Sequence, residues 1–325
     1  MQNSFYVPKD GINLREYVYG VKEKGELEMS KRNQHRYYMG RIIKAGQLDI
    51  QNIIDAIMEP STITKREYGY TFIDMYYDEK QEYLFGKLAK FKPDGEVEAI
   101  EPHKHKEVTI AIPDIKSSIS PFVVDLKYMG IAYPQVWNNL KKDQFEKYFC
   151  ELIEEKYDRL LVECTIEPIV DLQTFVSRVS EMDSIDLIKA TVVPPNPLFG
   201  PVWKELKEYM ENRDSSEFAI REKAKSPSGI KTKIIKLMKR YFEEENIQID
   251  NHNIEYGISD QAVLMTADGY GHASLEGKKN GEEIIIKTKD NQKSFLYYKE
   301  PNREEFALKV REVLENINEE RYLQH

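Results

Sequence analysis

The densest group of side chains that could perform chemistry lies in residues 221–240, "REKAKSPSGIKTKIIKLMKR". Eight cationic residues stand there against one acidic residue, so the local charge is 8 minus 1, or +7, in a chain of net charge -9. The eight are Arg221, Lys223, Lys225, Lys231, Lys233, Lys236, Lys239 and Arg240. Such a group can contact phosphates and release counterions, which gives salt-sensitive affinity with little dependence on base sequence. We therefore assign these eight as candidate nucleic-acid-binding residues.

The spacing within this segment predicts a helix that starts near Ser228 and is apolar on one side. At about 100° per residue, six apolar side chains share one arc: Ile230, Ile234, Leu237, Met238, Tyr241 and Phe242. Four cations fall on the opposite arc: Lys233, Lys236, Lys239 and Arg240. Alternatives for the cationic side are a solvated face, or docking onto an acidic partner or a membrane surface.

A second basic stretch, "SKRNQHRYYMGR", adds four more cations beside Tyr37 and Tyr38. They are Lys31, Arg32, Arg36 and Arg41. If both stretches lie on one face, the nucleic-acid interpretation gains support, because phosphate contacts then extend over a longer surface.

Metal chemistry has two candidate sets. His103 and His105 are two residues apart, so on a strand they share a face and could reach one ion. The interleaved lysines repel a cation, however, and favour a solvated loop. A metal-dependent nuclease needs carboxylates and a lysine near one another, and Asp74, Glu82 and Lys87 on a predicted hairpin could supply them.

Other catalytic signatures are missing from the sequence. "DGYGHASLEG" lacks the lysine of a phosphate loop, no G-x-S-x-G motif occurs, and neither Cys150 nor Cys164 has an electropositive sequence context. We therefore assign no catalytic, metal-binding or cofactor-binding residue, and the patterns favour a binding protein over an enzyme.

The patterns around these residues predict an α+β protein made of two units, residues 1–115 and 116–325. In the first unit, isoleucines at spacings of three and four predict a helix from Asp49. Two aromatic-rich runs joined by "DEKQ" predict a hairpin, and buried tyrosines are favoured there over a base-stacking platform. The proline-rich stretch 93–120 is interpreted as the connection between the units.

The second unit is expected to contain a βαβ arrangement and a β-hairpin, and to carry the basic helix. Asp143 and Glu146 resemble a capping box at the start of one helix. A strand, a helix and a strand follow over 158–193, which suggests a crossover. The four prolines of 192–203 are interpreted as a structural junction that ends the last strand. The segment 255–290 is predicted to be β-rich, with Asn280 and Gly281 as the hairpin turn. Asn302 and Glu305 predict the cap of a final helix.

Composition places the chain among soluble proteins. It has 325 residues, 41% of them hydrophobic, and contains no run of eighteen apolar residues. Two cysteines suit buried thiols in a reducing compartment better than a disulfide framework. These features predict a cytoplasmic protein.

Three segments follow one another along the chain: "SPFVVDLKYMGIAYPQ", the proline-rich exit and "ASLEGKKNGEEIIIKTK". Their order resembles that of the corresponding elements in the RexA-like phage-exclusion proteins of prokaryotic phage defence. The resemblance covers about residues 67–300 and implies a DNA-binding homodimer that acts with a membrane protein made alongside it. The leading hypothesis is therefore a phage-defence protein that binds DNA largely non-specifically through the basic helical segment. A metal-dependent nuclease or toxin effector, and a protein-interaction scaffold, are the alternatives.

Overall fold

A computed structural model describes residues 33–101, 106–136, 139–157, 159, 161–194, 204–235 and 256–321, with the backbone alone at 94–101, 106–115 and 320–321. Within these ranges the chain forms two β-sheets with helices packed against them. The α+β class predicted from the sequence is confirmed.

The first sheet has eight antiparallel strands in the described chain. Seven follow the spatial order β12-β1-β6-β5-β4-β3-β2, and the remaining strand, β7, pairs with β1 beyond the end of β12. Their bounds are β1 Gln34–Gly46, β2 Ile63–Lys65, β3 Tyr68–Asp78, β4 Tyr83–Glu101, β5 Lys106–Asp125, β6 Gly130–Pro134, β7 Val162–Pro168 and β12 Ser294–Tyr298.

Helices cover both faces of this sheet. Helices α1 (Ile50–Met58) and α2 (Lys142–Glu155) pack on one face, and α6 (Arg303–Arg321) packs on the other. Each presents the apolar stripe that the sequence predicts, because residues three and four apart lie on one side of a helix. The aromatic face of the β3–β4 hairpin is also core, since Tyr70 and Phe72 are 3% and 2% exposed.

The stretch 93–120 is not a connection between units, and that prediction is wrong. Strands β4 and β5 pair from Tyr83 opposite Asp125 to Glu101 opposite Lys106, with one register shift between Lys90 and Phe91. The prolines and charged residues of this stretch resemble a loop, but a long hairpin tolerates them where its outer edge needs no ladder hydrogen bond. The expected boundary between residues 115 and 116 consequently falls inside β5.

The second sheet has four antiparallel strands in the order β11-β10-β8-β9. Their bounds are β8 Ser184–Val192, β9 Phe218–Lys223, β10 Gly271–Lys279 and β11 Glu282–Lys287. Three helices share an apolar core with one face of this sheet: α3 Leu172–Ser180, α4 Lys204–Asn212 and α5 Ile258–Ala267. The predicted turn is confirmed, because Asn280 and Gly281 have φ of 52° and 82°, as a type I′ hairpin requires.

Three sequence predictions in the C-terminal half are corrected. The β7–α3–β8 segment is not a βαβ unit, because β7 joins the first sheet and β8 the second. Helix α5 lies where the sequence predicts a β-rich segment. Nearly all of its residues are buried, so its sequence has no amphipathic pattern that would indicate a helix. The N-terminal cap of helix α2 is Lys141, two residues before the predicted cap at Asp143. The amide of Lys141 donates to the side chain of Gln144.

One buried cation joins the two sheet layers. Arg41 of β1 is 3% exposed and donates to the carbonyl oxygens of Asp268, after α5, and Tyr128, before β6. Its guanidinium also lies 4.7 Å from the ring centroid of Tyr270. Among the described helices none is both long enough and apolar enough to cross a bilayer.

Candidate nucleic-acid interface

The second sheet has one covered face and one open face. Alternate residues point to opposite sides of a strand, so Ile188, Ala190 and Leu275 pack on the helices while their neighbours point outward. No described helix covers the outward side. Its cationic and imidazole residues, which we call the basic sheet face, are Lys189, Arg221, Lys223, His272, Lys287 and Lys289.

Strand register aligns the centre of this face into a single row. Arg221 lies opposite Lys189, Lys189 opposite Ser274, and Ser274 opposite Lys287. Adjacent strands are about 4.8 Å apart, so the row extends over about 14 Å and crosses all four strands. Like charges directly opposite one another destabilise a sheet, and the Glu276 carboxylate beside Lys189 offsets part of the repulsion between Arg221 and Lys189.

Intramolecular carboxylates compensate only part of this charge. Lys189 Nζ lies 2.6 Å from Glu276 Oε1. Arg221, Lys223 and Lys287 make no ion pair with any residue that the structure describes, and the same is true of Lys289. An open groove of about 460 Å³ runs along the face between these side chains. Four cations are therefore available to anions from solution.

His272 adds a charge that depends on pH. Its side chain is about half exposed, and its Nδ1 lies 3.6 Å from a carboxylate oxygen of Glu167. The adjacent Glu167 carboxylate raises the pKa of His272 above its usual value of 6.5, against the opposing effects of burial and of Lys289. Acidification therefore makes the face more positive.

The eight predicted residues do not share one helix. Arg221 and Lys223 lie on β9, ahead of the position where the sequence predicts the helix to begin. Lys225 and Lys231 are exposed in irregular chain. The predicted helix near Ser228 does not begin there, and the first helical residue is Ile234. Three predicted residues, Lys236, Lys239 and Arg240, lie outside the described residues.

Contacts with the sheet and with α5 explain why 224–233 is not helical. The amides of Ala224 and Ile230 donate to carbonyl oxygens of β8, and Gly229 has φ of 80°. The Thr232 hydroxyl and the Lys233 amide donate to the carboxylate of Asp260. The chain therefore crosses the end of the sheet toward α5, away from the row that contains Arg221.

The second basic stretch does not extend the face, because it belongs to β1 in the other sheet. Arg36 is exposed and donates to Ser294, and Arg41 is the buried cation described above. Lys31 and Arg32 lie outside the described residues.

The nuclease residues come together only in part. Lys87 Nζ lies 2.7 Å from Asp74 Oδ2, at a bulge in β3 where Asp74 has φ of 52°. Glu82 lies five residues from Lys87 along the hairpin, which is about 16 Å. His103 and His105 are not among the described residues, and the described part contains no group of three His, Cys, Asp or Glu side chains that could hold a metal ion.

Sequence reasoning missed four members of the face: Lys189, His272, Lys287 and Lys289. They lie far from 221–240 in the chain and are brought together only by strand pairing. The alternation in "HASLEGK", with the turn at Asn280, was the available signal, because it places His272, Ser274 and Glu276 on one side of a strand.

No protein-family model matches this chain. No curated protein matches it in sequence.

Proposed function

We propose that this protein binds DNA, largely without sequence specificity, and that the basic sheet face supplies the contacts. The observation that supports this is the cross-strand row in which Arg221, Lys189 and Lys287 line up with few compensating carboxylates. Lysine and arginine neutralise phosphates at any base sequence, so the affinity resides in the backbone of the nucleic acid.

The composition of the face favours duplex over single-stranded nucleic acid. Single-strand binding relies on aromatic rings that stack on bases. The outward positions described on these four strands hold no Phe, Tyr or Trp, and Thr191, Ser274 and Ile285 stand between the charged residues. Contacts are therefore to phosphates, which both strands of a duplex present.

A gel shift with duplex DNA at low salt tests the proposal with two sets of substitutions. Arg221→Glu, Lys287→Glu and Lys289→Glu together are expected to abolish the shift, while Lys80→Glu, in the β3–β4 turn, leaves it unchanged. A third variant, with Lys233, Lys236 and Lys239 changed to Glu, measures the contribution of residues 233–239 to DNA binding. Unchanged binding by the first variant refutes the proposed face, and loss with the third alone assigns binding to 233–239.

We further propose that DNA binding serves phage exclusion. The support is the resemblance of three sequence segments to RexA-like proteins, which also implies a homodimer and a membrane protein partner made alongside it. Plating efficiency of phage on cells that express the wild type or the Arg221→Glu, Lys287→Glu, Lys289→Glu variant tests this role. Protection that requires the basic sheet face supports it, and equal plating on cells with and without the wild type contradicts it.

A further inference from the structure

One cavity lies beside the first sheet, where β6 stops short of its neighbours. β6 pairs with β5 only at residues 123–125 and with β1 only at residues 37–41. Beyond Pro134 no described strand fills the space between β5 and the start of β1. A cavity of about 770 Å³ opens there, bounded also by the segment 299–304 that leads into α6. Its size is that of a small-molecule site.

The charge that lines this cavity is mostly positive. Its basic residues are His35, Lys87, Lys116, Lys299 and Arg303. Its acidic residues are Glu300 and Glu304. Lys87 is paired with Asp74, and Arg303 lies 3.8 Å from Glu304. Lys116 and Lys299 make no ion pair with any described residue. Two ammonium groups from different elements therefore border one cavity without a carboxylate partner.

Two neighbouring groups favour an anion in the same place, and a third, His35, would respond to one. The N-terminus of α6, a helix of nineteen residues, borders the cavity at Asn302 and Arg303. The Asn302 side chain already accepts from the amides of Glu304 and Glu305, so the helix contributes through its dipole, which favours negative charge at this end. Ser118 lines the cavity and is 5% exposed, and its hydroxyl has no hydrogen-bond partner in the described structure. Burial, and then the charge of Lys299, lower the pKa of the half-buried His35, so the neutral imidazole is favoured and a bound anion would raise this pKa.

Apolar groups form the rest of the lining. Phe85, Ile119 and Pro121 border the space on one side. An inorganic ion would leave this wall unused, whereas an organic phosphate would place its carbon skeleton there and its phosphate near the lysines.

We propose that this cavity binds a phosphate-bearing small molecule, with Lys116 and Lys299 contacting the phosphate oxygens and the apolar wall contacting the organic part. The site shares no lining residue with the basic sheet face, so it is a binding function beyond the proposed DNA contact. Lysine suits this role because its ammonium donates to phosphate oxygens as a compact point charge.

Isothermal titration of the full chain with pyrophosphate and with ATP tests the site. Both probes are expected to bind, ATP more tightly because of its organic part. The variant with Lys116→Gln and Lys299→Gln is expected to lose at least tenfold in affinity for each, while Lys80→Gln retains it. Failure of the wild type to bind either probe at millimolar concentration overturns the proposal, and so does equal affinity of the lysine variant.

A second readout reports the place of binding. The NMR titration of the His35 ring is expected to shift to higher pH when pyrophosphate is present, because an anion stabilises the cationic imidazole. The other charged residues that line the cavity, among them Glu300, Glu304, Lys87 and Arg303, are present in both titrations. A difference between the two His35 titrations is therefore due to pyrophosphate. An unchanged His35 titration in a protein that binds pyrophosphate locates the ion elsewhere and contradicts the proposal.

The two binding functions fail separately. The Lys116→Gln, Lys299→Gln variant is expected to bind duplex DNA as the wild type does, and the Arg221→Glu, Lys287→Glu, Lys289→Glu variant to bind pyrophosphate as the wild type does. Loss of DNA binding in the first variant would make the cavity part of the DNA surface and would overturn its assignment to a small molecule.

Discussion

Neutralising two members of the basic sheet face is expected to halve the salt dependence of DNA binding. Arg221, Lys223, Lys287 and Lys289 have no ion pair with a described residue, so four phosphate contacts are available. Each contact contributes about -0.9 to the slope of log K against log salt, which gives a slope of about -3.6 for four. Raising the salt from about 50 to 200 mM would then weaken binding by about 150-fold.

The variant with Arg221→Gln and Lys287→Gln retains two of these contacts. Its expected slope is about -1.8, and the same change in salt weakens binding by about 12-fold. Fluorescence anisotropy of a labelled duplex at several salt concentrations measures both slopes. Lys80→Gln is the matched control, since Lys80 is an exposed lysine in a turn of the other sheet. A slope that does not change in the double variant refutes the assignment of these side chains to phosphates, whatever the absolute affinity.

Three further outcomes follow from individual side chains. Arg41→Met is expected to lower the free energy of unfolding by about 3 kcal/mol in urea, because two buried carbonyl oxygens lose their donor; a change below about 1 kcal/mol would contradict the structural role. DNA affinity is expected to rise from pH 8 to pH 6, as protonation of His272 adds charge, and His272→Asn should remove that rise; a rise that persists in the variant assigns it to another group. Cys150 and Cys164, both buried, are expected to react with a thiol reagent only after unfolding, and rapid reaction of the folded protein would contradict their burial.

The sign of the pH effect on stability follows from the same histidine. The folded-state pKa of His272 is raised above the unfolded value, chiefly by the adjacent Glu167 carboxylate. Its contribution to stability is therefore fully present below pH 6.5 and is lost as the pH rises through the raised pKa. Because the side chain is half exposed, solvent screens this contribution, and the binding measurement is the more sensitive one.

Local patterns predicted the elements whose signals are contained in a few residues. The α1 helix followed from the cap at Asp49 and the isoleucine spacing, and the β10–β11 turn from Asn280 and Gly281. These features depend on backbone preferences within one element, so the sequence of that element is enough to predict them.

Features that depend on distant partners could not be predicted. β7 pairs with β1, more than a hundred residues earlier, and nothing within 162–168 indicates which sheet it joins. Helix α5 is buried on all sides, so its sequence lacks the polar face that marks a surface helix.

The residues of the candidate site also divide into those predicted from local sequence and those that depend on distant partners. Local charge density identified Arg221 and Lys223, but their partners Lys189 and Lys287 are 32 and 66 positions from Arg221 and were not predicted. Only the strand register places them in one row.

Lysine footprinting tests the central claim most directly. The protein is acetylated with and without a 20-base-pair duplex at low salt, and the modification of each lysine is measured by mass spectrometry. Protection of Lys189, Lys223, Lys287 and Lys289, with Lys80 modified equally in both samples, is the predicted result. Equal modification of those four lysines with and without bound DNA would contradict the account.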